Sequence, residues 1–145
     1  MKNSFLLAVS AGLFLSVSAF AHKGATGIVK ERMDNFKASQ MALKQVLAAS
    51  KRNDFEAIIP LANQIKNWAK MMPTKFPSGS DGPPSEAAPA IWTDFEGFKS
   101  AAKENYEAAR FLEVTALNGD AKVTAKAIKQ LAGTCKVCHQ SYRSN

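Results

Sequence analysis

The sequence predicts an all-α fold, an antiparallel four-helix bundle with a long Pro- and Gly-rich connection between its second and third helices. Three observations predict this class. Apolar side chains recur at helical spacings along four segments of the chain. Alanine is abundant after residue 38, whereas Val, Ile, Thr and Tyr are sparse, which favours helix. Five of the six prolines lie between residues 73 and 89, where we expect a connection.

The first 21 residues have the pattern of a secretory signal peptide. Lys2 supplies a positive start, an apolar run covers 5–17, and 19–21 reads Ala-Phe-Ala, a small-x-small cleavage site. A membrane anchor needs about 20 apolar residues, and this run is shorter. We therefore expect export to the periplasm, no membrane attachment after cleavage, and a single mature domain over 22–145.

The first two helices flank a short link at residues 51–54. The first is expected over about 26–50, and Asn53-Asp54 offers an N-cap for a second helix that ends near Met72. Pro60 lies inside the second helix and should kink it or mark a late start. The side chains expected to face inward are Ile28, Arg32, Phe36, Leu43 and Leu47 in the first helix and Ile58, Ile65, Trp68 and Met72 in the second.

The last two helices meet at Asn118-Gly119-Asp120. A third helix is expected over about 91–117, Gly119 suits the left-handed position after it, and Asp120 caps the fourth. The side chains expected to face inward are Ile91, Phe95, Phe98, Ala102, Ala109, Leu112 and Ala116 in the third helix and Val123, Ala127, Leu131, Cys135, Cys138 and Tyr142 in the fourth.

The chemistry lies in the C-terminal motif C-x-x-C-H, formed by Cys135, Cys138 and His139. It contains both cysteines of the chain and one of its two histidines. A c-type haem needs two thiols for thioethers with its vinyl groups and an imidazole as an axial iron ligand. At positions i, i+3 and i+4 of a helix, the three side chains project from one face. The motif predicts one covalently bound haem c per chain, with His139 on the iron.

Three other interpretations explain the motif less well. A thioredoxin-like redox pair follows a β-strand, and no strand pattern precedes Cys135. A structural zinc site needs four nitrogen or sulfur ligands, and the only other candidate is His22, over a hundred residues away. A disulfide between the two cysteines would close a very small loop and add little stability.

The motif does not determine what occupies the second axial position of the iron. The bundle has no second histidine, so a methionine can bind there or the position can stay empty. The candidate methionines are Met33, Met41, Met71 and Met72, although a methionine on a helix stripe is more often core filler.

The charge pattern gives little direction about partners. After signal removal 18 basic and 12 acidic side chains remain, a formal charge of +6, and the haem carboxylates bring it nearer +4. The basic residues are spread along every helix and no nucleic-acid motif accompanies them. We expect a solvated surface with a mild preference for acidic partners and no nucleic-acid binding.

The mature chain resembles the cytochromes c′, class II c-type cytochromes that are four-helix bundles with haem bound at a C-terminal C-x-x-C-H. The resemblance covers about 22–145. Besides the motif and the Tyr142-Arg143 that follows it, the resemblance rests on Val29-Lys30-Glu31-Arg32 and on the pattern Ile91-Trp92-x-Asp94…Phe98.

The resemblance implies roles for five further residues. Arg32 matches the arginine that reaches a haem propionate, and Arg143 matches the basic residue beside the proximal imidazole. Phe36 matches the residue that covers the distal face of the iron, which in the low-spin relatives is typically a methionine ligand. Trp92 and Phe98 are expected to line or buttress the pocket, and Phe36 and Phe98 also suit an ordinary core.

These roles imply a five-coordinate iron with an apolar distal side. Such a pocket lacks a donor for bound dioxygen but admits NO or CO when Phe36 moves aside. The expected function is a periplasmic haem protein that binds NO or CO and can take part in electron transfer with a redox partner. The alternative is a low-spin electron carrier with Met33 as sixth ligand.

Two expectations concern catalysis and assembly. Peroxide cleavage needs a distal acid–base group, and no histidine is present to supply one, so we expect no enzymatic activity. The cytochromes c′ often form dimers through their first two helices, so the resemblance makes a homodimer one expected assembly. Lysines on the outer face of the first helix, such as Lys30, Lys37 and Lys44, argue mildly against it.

Overall fold

The computed structural model describes residues 24–144, and within that range the chain is helical, with no β-strand. The predicted signal peptide and the start at His22 therefore lie outside the described residues. The α-helices are α1 (Gly27–Ser50), α2 (Phe55–Met71), α3 (Ala90–Thr93), α4 (Phe95–Leu117) and α5 (Ala121–Tyr142), and a 3₁₀ turn (Met72–Lys75) follows α2.

The four long helices form the bundle. Helix α2 packs against α1 and α4, and α5 packs against α4 and α1, so each long helix contacts the helices next to it around the bundle. Short links join α1 to α2 and α4 to α5, whereas residues 76–89 separate the two pairs. The predicted all-α four-helix bundle is confirmed.

Aspartates fix the starts of three helices. Asp54, Asp94 and Asp120 each accept a hydrogen bond from the main-chain N–H three residues later, over 2.9–3.2 Å. The caps at Asp54 and Asp120 were predicted, as was the left-handed Gly119, whose φ is +68°. The third helix was predicted as one piece, but the cap at Asp94 divides it into the single turn α3 and the long α4.

Pro60 is the sixth residue of α2 and does not delay its start. The helix begins at Phe55, so the alternative of a late start is wrong. A proline removes one main-chain N–H donor from the helix. The cap at Asp54 and the buried side chains on both sides of Pro60 stabilise the helix despite this loss. Three of those, Ile58, Ile65 and Trp68, are buried as expected.

The core has an aliphatic part and an aromatic part. The aliphatic part contains residues of all four long helices, among them Val46, Ile58, Leu112 and Leu131. The aromatic part occupies the other end of the bundle and consists of Trp68, Met72, Phe76, Ile91, Phe98 and Ala102, with Phe36, Ala87, Trp92, Cys138 and Tyr142 packed against it. The C-terminal motif therefore meets the bundle at its aromatic end.

Two residues expected in the core are on the surface. Leu47 is 47% exposed, because the buried face of α1 passes through Ala42, Val46 and Ala49, and Leu47 is rotated about 100° from Val46. Phe95 is 36% exposed, because it is the first residue of α4, outside the bundle's packed interior.

None of the helices within residues 24–144 combines the length and the apolar character that a membrane span needs.

Candidate functional site

Helix α5 carries Cys135 and Cys138 at the aromatic end of the bundle. Both thiols are unbonded and half-buried, and Cys138 packs against the aromatic part of the core. Buried Asn105 of α4 donates hydrogen bonds to the Thr134 hydroxyl over 2.9 Å and to the Cys135 sulfur over 3.4 Å. The first thiol is thus oriented by α4 and the second lies beside the aromatic rings.

The electrostatics of the two thiols differ from those of a redox pair. Burial raises the pKa of Cys135, and burial, followed by the nearby Cys135 and Glu104, raises the pKa of Cys138 to about 11. Redox-active thiols have a lowered pKa. Both cysteines are therefore protonated at neutral pH, which does not fit the thioredoxin-like interpretation.

His139 faces Phe36 of α1 across the end of the bundle. The ring centroids are 6.3 Å apart and the planes are inclined by 68°. The pKa of His139 is lowered by partial burial of the ring and then by the charge of Arg143, although Glu86 opposes the shift. A lowered pKa keeps the imidazole neutral, which is the form that binds a metal.

Phe36 also packs against Trp68 and Phe76, at centroid distances of 5.2 and 6.4 Å. Trp68 is only 3% exposed, and its indole N–H has no hydrogen-bond partner within residues 24–144. An unpaired buried donor costs about 1–3 kcal/mol. The sequence predicts a distal pocket without a hydrogen-bond donor, whereas the ring cluster around Phe36 contains the Trp68 indole N–H. An acceptor oxygen on a bound group would satisfy this N–H.

Arg32 lies under the long connection between α2 and α3. It is 2% exposed, and its guanidinium lies 4.5 Å from the Phe76 ring centroid. It donates to the Ser80 hydroxyl over 2.8 Å, to the Ser80 carbonyl and to the Ser85 hydroxyl. Burial lowers the pKa of Arg32, and nearby Asp81 opposes this shift. A role toward a haem propionate stays a prediction.

Trp92 and Phe98 both belong to the aromatic end. The Trp92 indole donates to the carbonyls of Phe76 and Pro77, each over 3.1 Å. Phe98 is fully buried, with its ring centroid 4.8 Å from Phe76 and 5.4 Å from Tyr142. The structure thus brings both residues to the aromatic rings beside Cys138, and their contact with a haem stays a prediction.

Arg143 is tied to the segment 86–88. Its guanidinium forms an ion pair with Glu86, with nitrogen–oxygen distances of 2.8 and 2.5 Å. The main chain of Ala87 pairs with that of Arg143 in an antiparallel bridge. A shallow cleft of about 610 Å³ opens here, lined by Glu86, Lys136, His139, Gln140, Arg143 and Ser144. Arg143 therefore shares a cleft with the predicted iron ligand.

The candidate methionines occupy different environments. Met41 and Met71 are about half exposed on the surface, and Met72 is buried in the aromatic part of the core. Met33 is half-buried on α1. The side chain that meets the His139 ring is that of Phe36.

Three residues of this site were not predicted from the sequence: Asn105, Glu86 and Trp68 as an indole donor. Trp68 was expected only as core. Asn105 and Glu86 lie 30 and 57 residues from their partners Cys135 and Arg143. No local pattern in the sequence could have found those contacts.

The donor set fits a c-type haem. Two free thiols and a neutral imidazole lie on one helix, and the Phe36 ring faces that imidazole. The buried Trp68 indole N–H has no acceptor within residues 24–144. Within residues 24–144 no three His, Cys, Asp or Glu side chains are grouped closely enough to hold a bare metal ion. The chemistry of the donors therefore points to a porphyrin and gives the zinc interpretation no support.

Comparison with known proteins agrees with this geometry. A family model described as Cytochrome C′ matches residues 27–143. The chain belongs to the cytochrome c′ family. Membership of the cytochrome c′ family implies a c-type haem, as predicted from the sequence.

Individual relatives carry two names. The cytochrome c′ of Rhodospirillum rubrum is 30% identical over the full length of both chains. A cytochrome c-556 of Agrobacterium tumefaciens is 38% identical over 77% of this chain and 89% of its own.

Solved structures of cytochromes c′ share the fold. That of Rubrivivax gelatinosus is 26% identical with a TM-score of 0.72, over 81% of this chain and 94% of its own. A nitric oxide complex of a mutant cytochrome c′ from Alcaligenes xylosoxidans is 23% identical with a TM-score of 0.73, over the same shares. A carbon monoxide complex of another variant from that organism has a TM-score of 0.74.

Proposed function

We propose that this protein is a periplasmic haem protein with one covalently bound haem c and a five-coordinate iron that binds NO or CO. Cys135 and Cys138 would hold the haem and His139 would bind the iron. Phe36 would cover the opposite face. The haem, when bound, supplies an iron that can take up a diatomic gas or exchange one electron.

The pairing of Phe36 with His139 carries this proposal. A benzyl side chain has no atom that can coordinate iron, and its ring lies 6.3 Å from the imidazole that the motif assigns to the metal. Phe36 therefore keeps water and polar ligands away from that face. A small uncharged gas can enter when the ring rotates, because it requires little space and loses little hydration.

Other residues of the chain would hold the group in place. Asn105 orients Cys135, and the aromatic rings around Cys138 exclude water from the second attachment point. Arg32 and Arg143 offer positive charge for the haem carboxylates and the proximal side, each held by the long connection. The gas-bound cytochromes c′ from Alcaligenes xylosoxidans support NO and CO as the ligands.

Electron transfer is part of the proposal, and enzymatic turnover is not. One electron can enter or leave the iron without an acid–base group, whereas peroxide cleavage needs one on the distal side. Two side chains that pack against Phe36, those of Trp68 and Phe76, do not exchange protons at neutral pH and could not serve as that group. Peroxidase turnover well above that of free haem would overturn this part.

Absorption spectra of the purified holoprotein test the iron's coordination. We expect high-spin spectra in the ferric and ferrous forms and a new band when NO or CO is added to the ferrous protein. A fully low-spin ferric spectrum with a methionine-to-iron charge-transfer band would refute the five-coordinate iron.

Replacement of Met33 separates the proposal from its alternative. Met33→Ala should leave the spin state unchanged if Phe36 covers an open position, and should convert a low-spin spectrum to high spin if Met33 is the sixth ligand. Met41→Ala is the matched control, because Met41 is half exposed on the same helix.

Mass spectrometry tests attachment and export together. Protein matured in a host with a haem-ligation system should carry the mass of one haem, with neither thiol open to alkylation. Its N-terminus should be His22 and it should be recovered with the periplasmic fraction. A bare polypeptide with two reactive thiols would overturn the proposal.

A further inference from the structure

Helix α5 differs from the other long helices in its charge. It carries four lysines and no acidic residue between Ala121 and Tyr142, whereas α1, α2 and α4 each mix acidic and basic side chains. Basic residues occur on every long helix, as expected, but only on the helix that carries the C-x-x-C-H motif are they unaccompanied by acidic residues.

The four lysines lie on one face of α5. At about 100° per residue, Lys122, Lys126, Lys129 and Lys136 fall within an arc of roughly 80° and extend over about 21 Å. All four are exposed. We call these four lysines the basic stripe. The buried residues Thr124, Ala127, Ile128 and Leu131 occupy the opposite face of the helix.

The lysines of the basic stripe are not neutralised by ion pairs. Within residues 24–144, lysines on other elements form ion pairs, for example Lys66 with Glu113 at 2.5 Å and Lys75 with Glu31 at 2.5 Å. None of the four stripe lysines forms an ion pair within the same range. Four unpaired charges in a row create a positive potential that extends beyond the surface, over a distance that salt limits.

The stripe leads to the predicted iron ligand. Lys136 lines the same shallow cleft as His139. The surface beside Lys136 is partly apolar, because Val137 is 56% exposed. It is also unobstructed at Gly133, where an added Cβ would meet no atom within 4 Å. A positive margin around a small apolar patch is the usual anatomy of a transient protein contact.

We propose that the basic stripe of α5 is the docking surface for an acidic protein that exchanges electrons with this one. The redox nature of the partner rests on the proposed function, whereas the docking itself does not. A negatively charged partner surface would meet the lysines and place its redox group near Lys136, which shares a cleft with His139. The two cysteines lie on the opposite side of the helix.

An acidic protein fits the stripe better than a membrane does. A helix that lies in a lipid interface needs a broad apolar face with large side chains. The exposed face of α5 offers Val137 as its large apolar side chain, next to four lysines. Such a surface suits a partner that contributes carboxylates and water-filled contacts rather than acyl chains.

Two charge-matched variants of the holoprotein test the site. The stripe variant replaces Lys122, Lys126, Lys129 and Lys136 with Gln. The control variant replaces four other exposed lysines that form no ion pair within residues 24–144, namely Lys37, Lys44, Lys51 and Lys103. Both variants lose the same net charge, so a difference between them reports position rather than total charge.

An acidic flavodoxin serves as the probe, with binding measured by calorimetry at about 10 mM salt, where the Debye length is about 30 Å. The stripe variant should lose affinity by roughly tenfold or more relative to the parent, and the control should lose much less. Amide chemical shifts of labelled holoprotein should change mainly along α5. Equal losses in the two variants, or shifts confined to another helix, would overturn the proposal.

Vesicles and electron transfer complete the test. Binding to phosphatidylglycerol vesicles, with no measurable binding to flavodoxin, would overturn the protein partner in favour of a lipid surface. Reduction of the haem by flavodoxin hydroquinone should slow in the stripe variant. Stripe-dependent binding without any reduction would leave the docking surface standing and would count against the electron-transfer part of the proposed function.

Discussion

The Tyr142 hydroxyl donates a hydrogen bond to the Asp94 carboxylate over 2.9 Å, which joins the end of α5 to the start of α4. The same carboxylate accepts from the main-chain N–H of Gly97 over 3.1 Å and so caps α4. One aspartate thus fixes both a helix start and the last turn of the helix that carries the C-x-x-C-H motif.

Gly97 permits this close approach, and Gly97→Ala should destabilise the holoprotein by about 1–3 kcal/mol. An added Cβ would lie 2.5 Å from the Tyr142 hydroxyl and closer still to the Asp94 carboxylate. Gly133→Ala is the control, because the same atom would meet nothing within 4 Å and alanine favours helix. Urea unfolding measures both, and equal stability of the two variants would contradict the close contact.

Glu113 should make stability depend on pH. Hydrogen bonds from Lys66 and then Asn63 lower the pKa of Glu113 below its ordinary 4.5. A lowered pKa stabilises the fold above the unfolded value, and this contribution disappears as pH falls through the folded value. Glu113→Gln should therefore cost about 1–2 kcal/mol at neutral pH, and the difference from the parent should shrink below pH 4.5.

Unfolding curves at several pH values check this, with Glu107→Gln as control. Glu107 pairs with Arg110 on the exposed side of α4, where solvent screens the charges. A loss of stability in Glu113→Gln that is the same at pH 7 and pH 3 would show that the carboxylate charge is not involved.

Phe36→Ala should open the distal face of the iron. If displacement of the ring costs about 1–3 kcal/mol, its removal raises CO affinity by roughly tenfold to a hundredfold. Titration of the ferrous holoprotein with CO measures the change. Phe95→Ala removes a surface ring of the same size and should leave CO affinity unaltered. Unchanged affinity in Phe36→Ala would remove Phe36 from the distal position.

Trp68→Phe tests whether the unpaired indole gains a partner in the holoprotein. If an acceptor on the bound haem receives the N–H, the substitution should cost about 1 kcal/mol of unfolding free energy for the lost bond, in addition to the packing lost with the smaller ring. If no acceptor is present, the cost should be smaller than that packing loss alone, because a buried unpaired donor is also removed. Trp92→Phe is the reference, since the two bonds from Trp92 to Phe76 and Pro77 are already made within the chain.

The helices and their caps could be predicted because their signals are local. Apolar spacing, Asp54, Gly119 and Asp120 each act within one turn of the chain. The division of the third helix at Asp94 was not predicted, because the apolar spacing of Ile91, Phe95 and Phe98 continues across the cap. The exposure of Leu47 was not predicted, because packing against α2 and α5 decides which face of α1 is buried. Val46 and Leu47 are apolar neighbours, and only Val46 lies on that face.

The chemical motif could also be predicted, whereas its surroundings could not. Cys135, Cys138 and His139 follow one another within five residues. Arg32 and Ser80, or Glu86 and Arg143, lie 48 and 57 residues apart and meet only in the folded chain. Contacts at such separations leave no trace in a single sequence, because neither partner changes the local pattern around the other.

The connection of residues 76–89 anchors three residues predicted for the haem pocket. Ser80 and Ser85 hold Arg32, the Phe76 and Pro77 carbonyls hold Trp92, and Glu86 holds Arg143. Inserting or deleting residues in this stretch would consequently shift all three side chains at once. An engineer who wished to retune the pocket could graft new sequences here and leave every helix and the haem attachment motif intact.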